Sequence, residues 1–165
     1  MQPLTHEQCV TWLSAWASAD KVFDRHTADS GRGVVAVRLP EQVSPVPVLQ
    51  KSFVRWLTRD DSPLLVWVYE YGVWPSSEDW NLYERWRRGV GEPGNLEEMP
   101  GHLFKAHEAA DATSLLMMAC LFGWGVRAIS REARRGLQVD HDGLAIIVAE
   151  PADVVASAPE LITSQ

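Results

Sequence analysis

Apolar residues recur at helical spacing in some stretches of the chain and alternate with polar ones in others, and these two rhythms divide it into elements. Thr5, with Gln8 three residues on, has the spacing of a capping box. Val10, Leu13, Trp16 and Ala17 follow at helical intervals, which predicts a first helix over 5–19. The polar stretch 20–32, with Gly31, reads as a loop, and the β-branched run 34–39 as a strand. Pro40 ends that strand, and Pro45 and Pro47 keep the next residues irregular. Leu49, Phe53, Val54 and Leu57 then give a second helix over 48–58.

The clearest strand is 64–73. Leu64, Val66 and Val68 face one side and Leu65, Trp67, Tyr69 and Tyr71 the other, so the strand is expected to be central and covered on both faces. Trp74-Pro75 ends it. Ser76 or Ser77 caps a third helix, with Glu78 and Asp79 in its first turn and Trp80, Tyr83, Trp86 and Val90 as its buried stripe. Residues 91–101, rich in glycine and proline, form a long loop that Pro100-Gly101-His102-Leu103-Phe104 closes. A fourth helix begins between Lys105 and Thr113 and ends at Phe122. Its apolar run 115–122 is expected to be buried, with Gly123 as C-cap. Strands follow at 124–130, 137–139 and 144–150, the last two around the hairpin turn Asp140-His141-Asp142-Gly143. Strands that do not alternate with helices, and a final meander, indicate an α+β fold. Its mixed or antiparallel sheet has about five strands, with about four packed helices. Residues 1–150 make a single domain, and 151–165 a weakly patterned tail or short helix.

A chain of 165 residues suits one core and needs no staple of metal or disulfide. Its formal net charge of −7 argues against duplex nucleic acid as a partner, since phosphates call for a basic surface. That charge suits a basic protein partner, and equally it suits plain solubility. Cys9 and Cys120 fall in apolar helical patterns, as free thiols do. No apolar signal core precedes them, and the longest apolar run is far short of a membrane span. A cytoplasmic location with no membrane partner is therefore expected.

Three groups of residues invite chemistry. His102, His107, Glu108, His141 and Asp142 are of the types used in metal and acid/base sites. Their spacing is poor, because His102 and His107 are five apart and do not share a helix face, and the hairpin alone accounts for Asp142-Gly143. No metal or other cofactor is expected. A nucleophile has no recognised setting: no serine stands in an elbow motif, and Cys120 lies in the apolar run, where a thiol is inert. The third group is aromatic and acidic. Seven of the 15 aromatic residues fall between Trp67 and Trp86. Trp67, Trp80, Tyr83 and Trp86 are explained as core by their periodicity. Trp74, at the strand exit, and the loop glutamates Glu92, Glu97 and Glu98 are the candidate partner-binding surface.

Residues 72–79 read Gly-Val-Trp-Pro-Ser-Ser-Glu-Asp, followed by Leu82-Tyr83-Glu84-Arg85, Pro100-Gly101-His102-Leu103-Phe104, Gly123-Trp124 and His141-Asp142. With these segments the chain resembles a group of small uncharacterised bacterial proteins over about half its length. The resemblance implies a bacterial origin and carries no activity with it. Members of the group read Ser-His-Asp-Glu at the hairpin, where this chain has Asp140-His141-Asp142-Gly143. The missing last carboxylate weakens a catalytic reading of that turn. The expectation is a small acidic protein that binds another protein, an immunity or inhibitor factor facing a basic toxin or effector. The alternatives are a hydrolase or metal-dependent enzyme built on the histidines and carboxylates, and a structural subunit of a homodimer.

Overall fold

Thr5 caps the first helix as its spacing predicts. The Thr5 N–H donates to Gln8 Oε1 at 2.8 Å and the Gln8 N–H donates to Thr5 Oγ1 at 3.3 Å. The computed structural model describes residues 1–14, 23, 33–39, 46–72, 80–92 and 94–154, with the side chains of 46–48 left aside. Helix α1 spans His6–Ser14, and its buried stripe is Cys9 and Leu13, one turn apart. Val10 lies off that stripe and is exposed, contrary to the sequence reading. Trp16, Ala17 and the expected loop 20–32, apart from the buried Phe23, lie outside the described residues.

The strands are β1 Gln2–Leu4, β2 Gly33–Arg38, β3 Leu64–Glu70, β4 Gly101–Phe104, β5 Gly125–Ser130, β6 Arg135–Val139 and β7 Leu144–Ala149. They form one sheet in the order β1-β4-β3-β5-β6-β7-β2, and every pairing is antiparallel. The remaining helices are α2 Val46–Leu57, α3 Trp80–Gly89 and α4 Ala109–Leu121, with a 3-10 helix at Ala106–Glu108. The class is therefore α+β, with seven strands and five helices among the described residues. Both extra strands are short. β1 and β4 hold three and four residues, and β4 falls in the segment read as the close of a loop. Pro47 also belongs to α2, in its first turn, where a missing N–H leaves no helical bond unmade.

β3 is interior to the sheet, as its two apolar faces require. Leu64, Val66 and Val68 join Phe53, Val54 and Leu57 of α2 and Leu115 and Leu116 of α4 in the larger core. Leu65 and Trp67 join Cys9 and Leu13 of α1 in a smaller core on the opposite face. The face assignment breaks at Tyr71. The register against β5 shifts by one between Val68 and Glu70, and one inserted residue reverses the parity of the residues after it. Tyr71 therefore packs on the larger core instead of joining Tyr69. β5, β6 and β7 pair in sequence as the expected meander. The hairpin between β6 and β7 closes through Gly143 N–H to Asp140 O at 3.1 Å, with Gly143 at φ +74. Buried Arg135 in β6 donates to Asp60 at 2.8 Å, to Asp153 at 2.5 Å and to the Trp56 carbonyl at 3.2 Å. This ties the end of α2 and the helical turn at 151–154 to the sheet, and Val154 of that turn is buried in the larger core. No described helix is long and apolar enough to cross a membrane.

Candidate functional site

α3 packs on β4, with Tyr83 against His102 and Trp86 against Phe104, and its sequence dictates a narrow buried arc. Tyr83 and Arg87, one turn apart, are its buried residues. Trp86 is half-buried and Trp80 remains 38% exposed, so the expected stripe is only partly core. The Trp80 ring rests on Trp124 at 5.4 Å between centroids and meets Tyr71 edge-on at 5.9 Å. Tyr71 reaches it because of the β3 bulge. Trp74 and the expected cap at Ser76 or Ser77 lie outside the described residues.

The guanidinium of Arg87, near the C-terminal end of α3, is buried. Nη1 donates to the Tyr83 hydroxyl at 2.7 Å and to the carbonyls of Met99 at 3.1 Å and Asn95 at 3.3 Å. Nε and Nη2 make no hydrogen bond. No carboxylate pairs with the guanidinium among the described residues, so backbone carbonyls and the tyrosine hydroxyl solvate it. The helical phase of Tyr83 was the sequence signal for this burial, outweighed by the usual preference of arginine for water. The Tyr83 hydroxyl also lies 3.1 Å from His102 Nε2. Because it accepts from Arg87, it donates its own proton to Nε2, which places the imidazole proton on Nδ1. Nδ1 is buried and makes no hydrogen bond, and the backbone of Val66 and Pro100 favours the protonated ring only weakly. Burial, helped by the Arg87 charge, pushes His102 down to about 3, and burial pushes Tyr83 up to about 12. His102 is thus a neutral core residue on a strand, not a residue of an open loop.

The remaining sequence candidates stand apart from it. His141, in the β6–β7 turn, places Nδ1 2.7 Å from Glu70 Oε2 and Nε2 3.7 Å from Asp142 Oδ1. The Glu70 hydrogen bond raises its proton affinity, with Glu70, Asp142 and Asp140 adding electrostatic support against slight desolvation. Glu108 accepts from the Lys105 N–H at 2.8 Å and pairs with the N-terminal ammonium of Met1. Although burial acts the other way, these contacts hold its carboxyl below the ordinary range. His107 is exposed beside it. The structure brings His141 to Asp142 and His107 to Glu108, and it places His102 with neither pair. Among the described residues no three His, Cys, Asp or Glu side chains gather as a metal site requires. Burial pushes both Cys9 and Cys120 thiols up to about 12, away from the reactive thiolate.

A cavity of about 200 Å³ opens beside α3, lined by Trp80, Tyr83, Glu84, Asn95, Leu96 and Glu97. Trp80 and Tyr83 make its lining partly aromatic, and Leu96 of the same lining is buried. The loop holds its shape through local bonds. The Glu98 N–H donates to Asn95 Oδ1 at 2.8 Å, and the Glu92 N–H donates to the Arg87 carbonyl at 2.8 Å. Of the three loop glutamates singled out in the sequence, Glu97 lines the cavity. Glu98 is exposed next to it, and Glu92 is half-buried at the C-terminal end of α3. Neither Glu84 nor Glu97 forms an ion pair or side-chain hydrogen bond with a described residue. Glu97 lies close enough to Tyr71 to raise its phenol, after a larger contribution from burial. Tyr71, Trp80, Glu84 and Asn95 were not singled out from the sequence as site residues, although the aromatic density of 67–86 marked their neighbourhood. Compared with known proteins, the chain matches no family model, and neither a curated protein nor a solved structure is significantly similar to it.

Proposed function

We propose that the protein binds another protein of basic surface through the face formed by α3 and the loop 91–98, as an immunity or inhibitor factor does. The observation that carries this reading is the cavity over Trp80 and Tyr83 with Glu84 and Glu97 on its walls. An aromatic lining supplies contact area at low entropic cost, and uncommitted carboxylates steer a basic partner toward it. Trp80, 38% exposed, is the apolar anchor that this face offers. The net charge of −7 acts in the same direction at long range. Glu92, Glu97 and Glu98 supply the loop's share of the charge. The reading rests on their density around an aromatic lining, since Arg85 and Arg88 are also exposed on α3.

The test begins with a partner captured from the native host and purified. Its association and dissociation rates are then measured against the wild type, Trp80→Ala, and a variant with Glu92, Glu97 and Glu98 all changed to lysine. Charge reversal should slow association about tenfold or more at low salt and flatten its salt dependence. Trp80→Ala should speed dissociation with little effect on association. Unchanged rates in both variants, with folding intact by circular dichroism, refute the face.

A further inference from the structure

Resting on that reading, we propose that the cavity is the seat for one arginine side chain of the partner, with its guanidinium over Trp80 and between Glu84 and Glu97. The cavity's size, about 200 Å³, suits one extended side chain and excludes a folded segment. Its chemistry selects a planar cation. Trp80 keeps one face against Trp124 and remains partly exposed, which suits stacking by a guanidinium. Two carboxylates without partners among the described residues can each take a charge-assisted bond from the guanidinium's fork of donors, a geometry that a lysine ammonium cannot match. The protein uses the same pairing internally. Arg127 lies over the rings of Tyr69 at 4.7 Å and Trp67 at 5.3 Å, and Arg131 over Trp12 at 4.8 Å.

Charge decides between a cation and an anion. Arg87 is the cation that bonds to the cavity's lining, through Tyr83 and Asn95, and Arg88 is exposed on the outer side of α3. Arg87 is buried, and Tyr83 and the Asn95 and Met99 carbonyls occupy its Nη1. Its two unpartnered nitrogens are sealed from solvent, so they offer nothing to an anion arriving through the mouth. An anion would also have to pass Glu84 and Glu97. The field at the opening therefore favours a cation despite Arg87.

The experiment uses the full chain and the probe N-acetyl-arginine amide, followed through the Trp80 indole and the Leu96 and Glu97 backbone amides by nuclear magnetic resonance. N-acetyl-lysine amide and N-acetyl-citrulline amide, the neutral isostere, serve as comparisons. The arginine probe should produce saturable shifts confined to this cavity, with the lysine probe several-fold weaker and citrulline inert. The double variant Glu84→Gln/Glu97→Gln should weaken the arginine probe roughly tenfold, and Trp80→Leu should weaken it without altering its salt dependence. Equal binding of citrulline, shifts spread away from the cavity, no shift at all, or an unaffected double variant each overturn the proposal. If the captured partner binds the Glu84→Gln/Glu97→Gln protein with wild-type rates, the arginine seat falls and the partner face still stands. If the probe binds as expected and no partner responds to the face variants, the partner reading falls and the seat remains.

Discussion

The residue that most changes meaning between sequence and structure is His102. As a letter it belongs to a loose set of histidines and carboxylates. In the fold it is sealed beneath Tyr83 and Arg87, and the nearest charge is a cation that opposes its protonation. This has a consequence for pH. An unfolded histidine takes up a proton near 6.5, whereas folded His102 stays neutral down to about 3. Between these values the unfolded chain holds a proton that the fold does not. The contribution of His102 is thus intact above the unfolded value and is lost as pH falls toward the folded one, by about 1.4 kcal/mol per pH unit. His141 runs the other way. Its affinity is raised by Glu70, so its contribution is present below the unfolded value and fades as pH rises through the raised one. Glu108 and Asp153, both held low, lose their contributions only as acid reaches the carboxylate range. Proton resonances of the imidazoles should therefore show His102 silent between about pH 5 and 8 and His141 titrating above the ordinary histidine value. Denaturant unfolding should show stability declining from about pH 6.5 to 5, with the decline abolished in His102→Gln. A His102 resonance that titrates near neutrality would mean that β4 opens to water.

At the scale of elements, β4 shows how a strand can be invisible to local pattern. Pro100-Gly101-His102-Leu103-Phe104 has a turn-like start and too few residues to set an alternation, so it reads as the end of a loop. What makes it a strand is pairing on both sides, with β1 through Pro3 and His102 and with β3 through Val66 and His102. Gly101 is the position where that packing leaves no slack. A Cβ there would fall on Cys9 Sγ of α1 and lie 3.0 Å from the Leu4 Cβ of β1. Gly101→Ala should therefore cost about 1–3 kcal/mol by overpacking. Cys9→Ala should recover part of that loss in the double variant, because it removes the atom struck. Additive losses in a double-mutant cycle would show that α1 does not press on β4 there. The same contrast explains what was legible elsewhere. The Thr5 capping box, the two apolar faces of β3 as far as Tyr69 and the Asp-His-Asp-Gly turn follow from neighbours in sequence, and each stands in the structure as read. The burial of Arg87, the flip of Tyr71 at the β3 bulge and the cavity wall of Glu84 and Glu97 depend on which elements meet. No spacing encodes that. For the candidate site, the sequence located the aromatic and acidic neighbourhood and one wall residue, Glu97. It did not assemble the pocket, which joins α3 to a loop whose shape is set by Asn95 and the buried guanidinium.

At the scale of the whole molecule, the sheet carries a core on each face, and β3 belongs to both. Leu116 of α4 is fully buried in the larger core, and Leu65 of β3 is fully buried in the smaller one beneath α1. The two cores share strands, with Val66 and Trp67 adjacent in β3 and on opposite faces, so neither can melt without exposing the backbone ladder that supports the other. One cooperative transition is the expected behaviour of such a domain. Leu116→Ala and Leu65→Ala should each cost about 2–5 kcal/mol through lost transfer energy and the cavity left behind. Each should shift the unfolding midpoint equally, whether read by far-ultraviolet dichroism, which follows the helices, or by tryptophan fluorescence. The two side chains lie on opposite faces and share no pocket, so the double variant should lose the sum to within about 0.5 kcal/mol. If the cores were independent, Leu65→Ala would split the transition, with the α1 face melting first and the Trp124 environment surviving to higher denaturant. A Leu116→Ala loss under about 0.5 kcal/mol would instead mean that α4 does not press on the sheet. The α3 cavity, whose Trp80 leans on Trp124 at the end of α4, would then lose the support that fixes its lining.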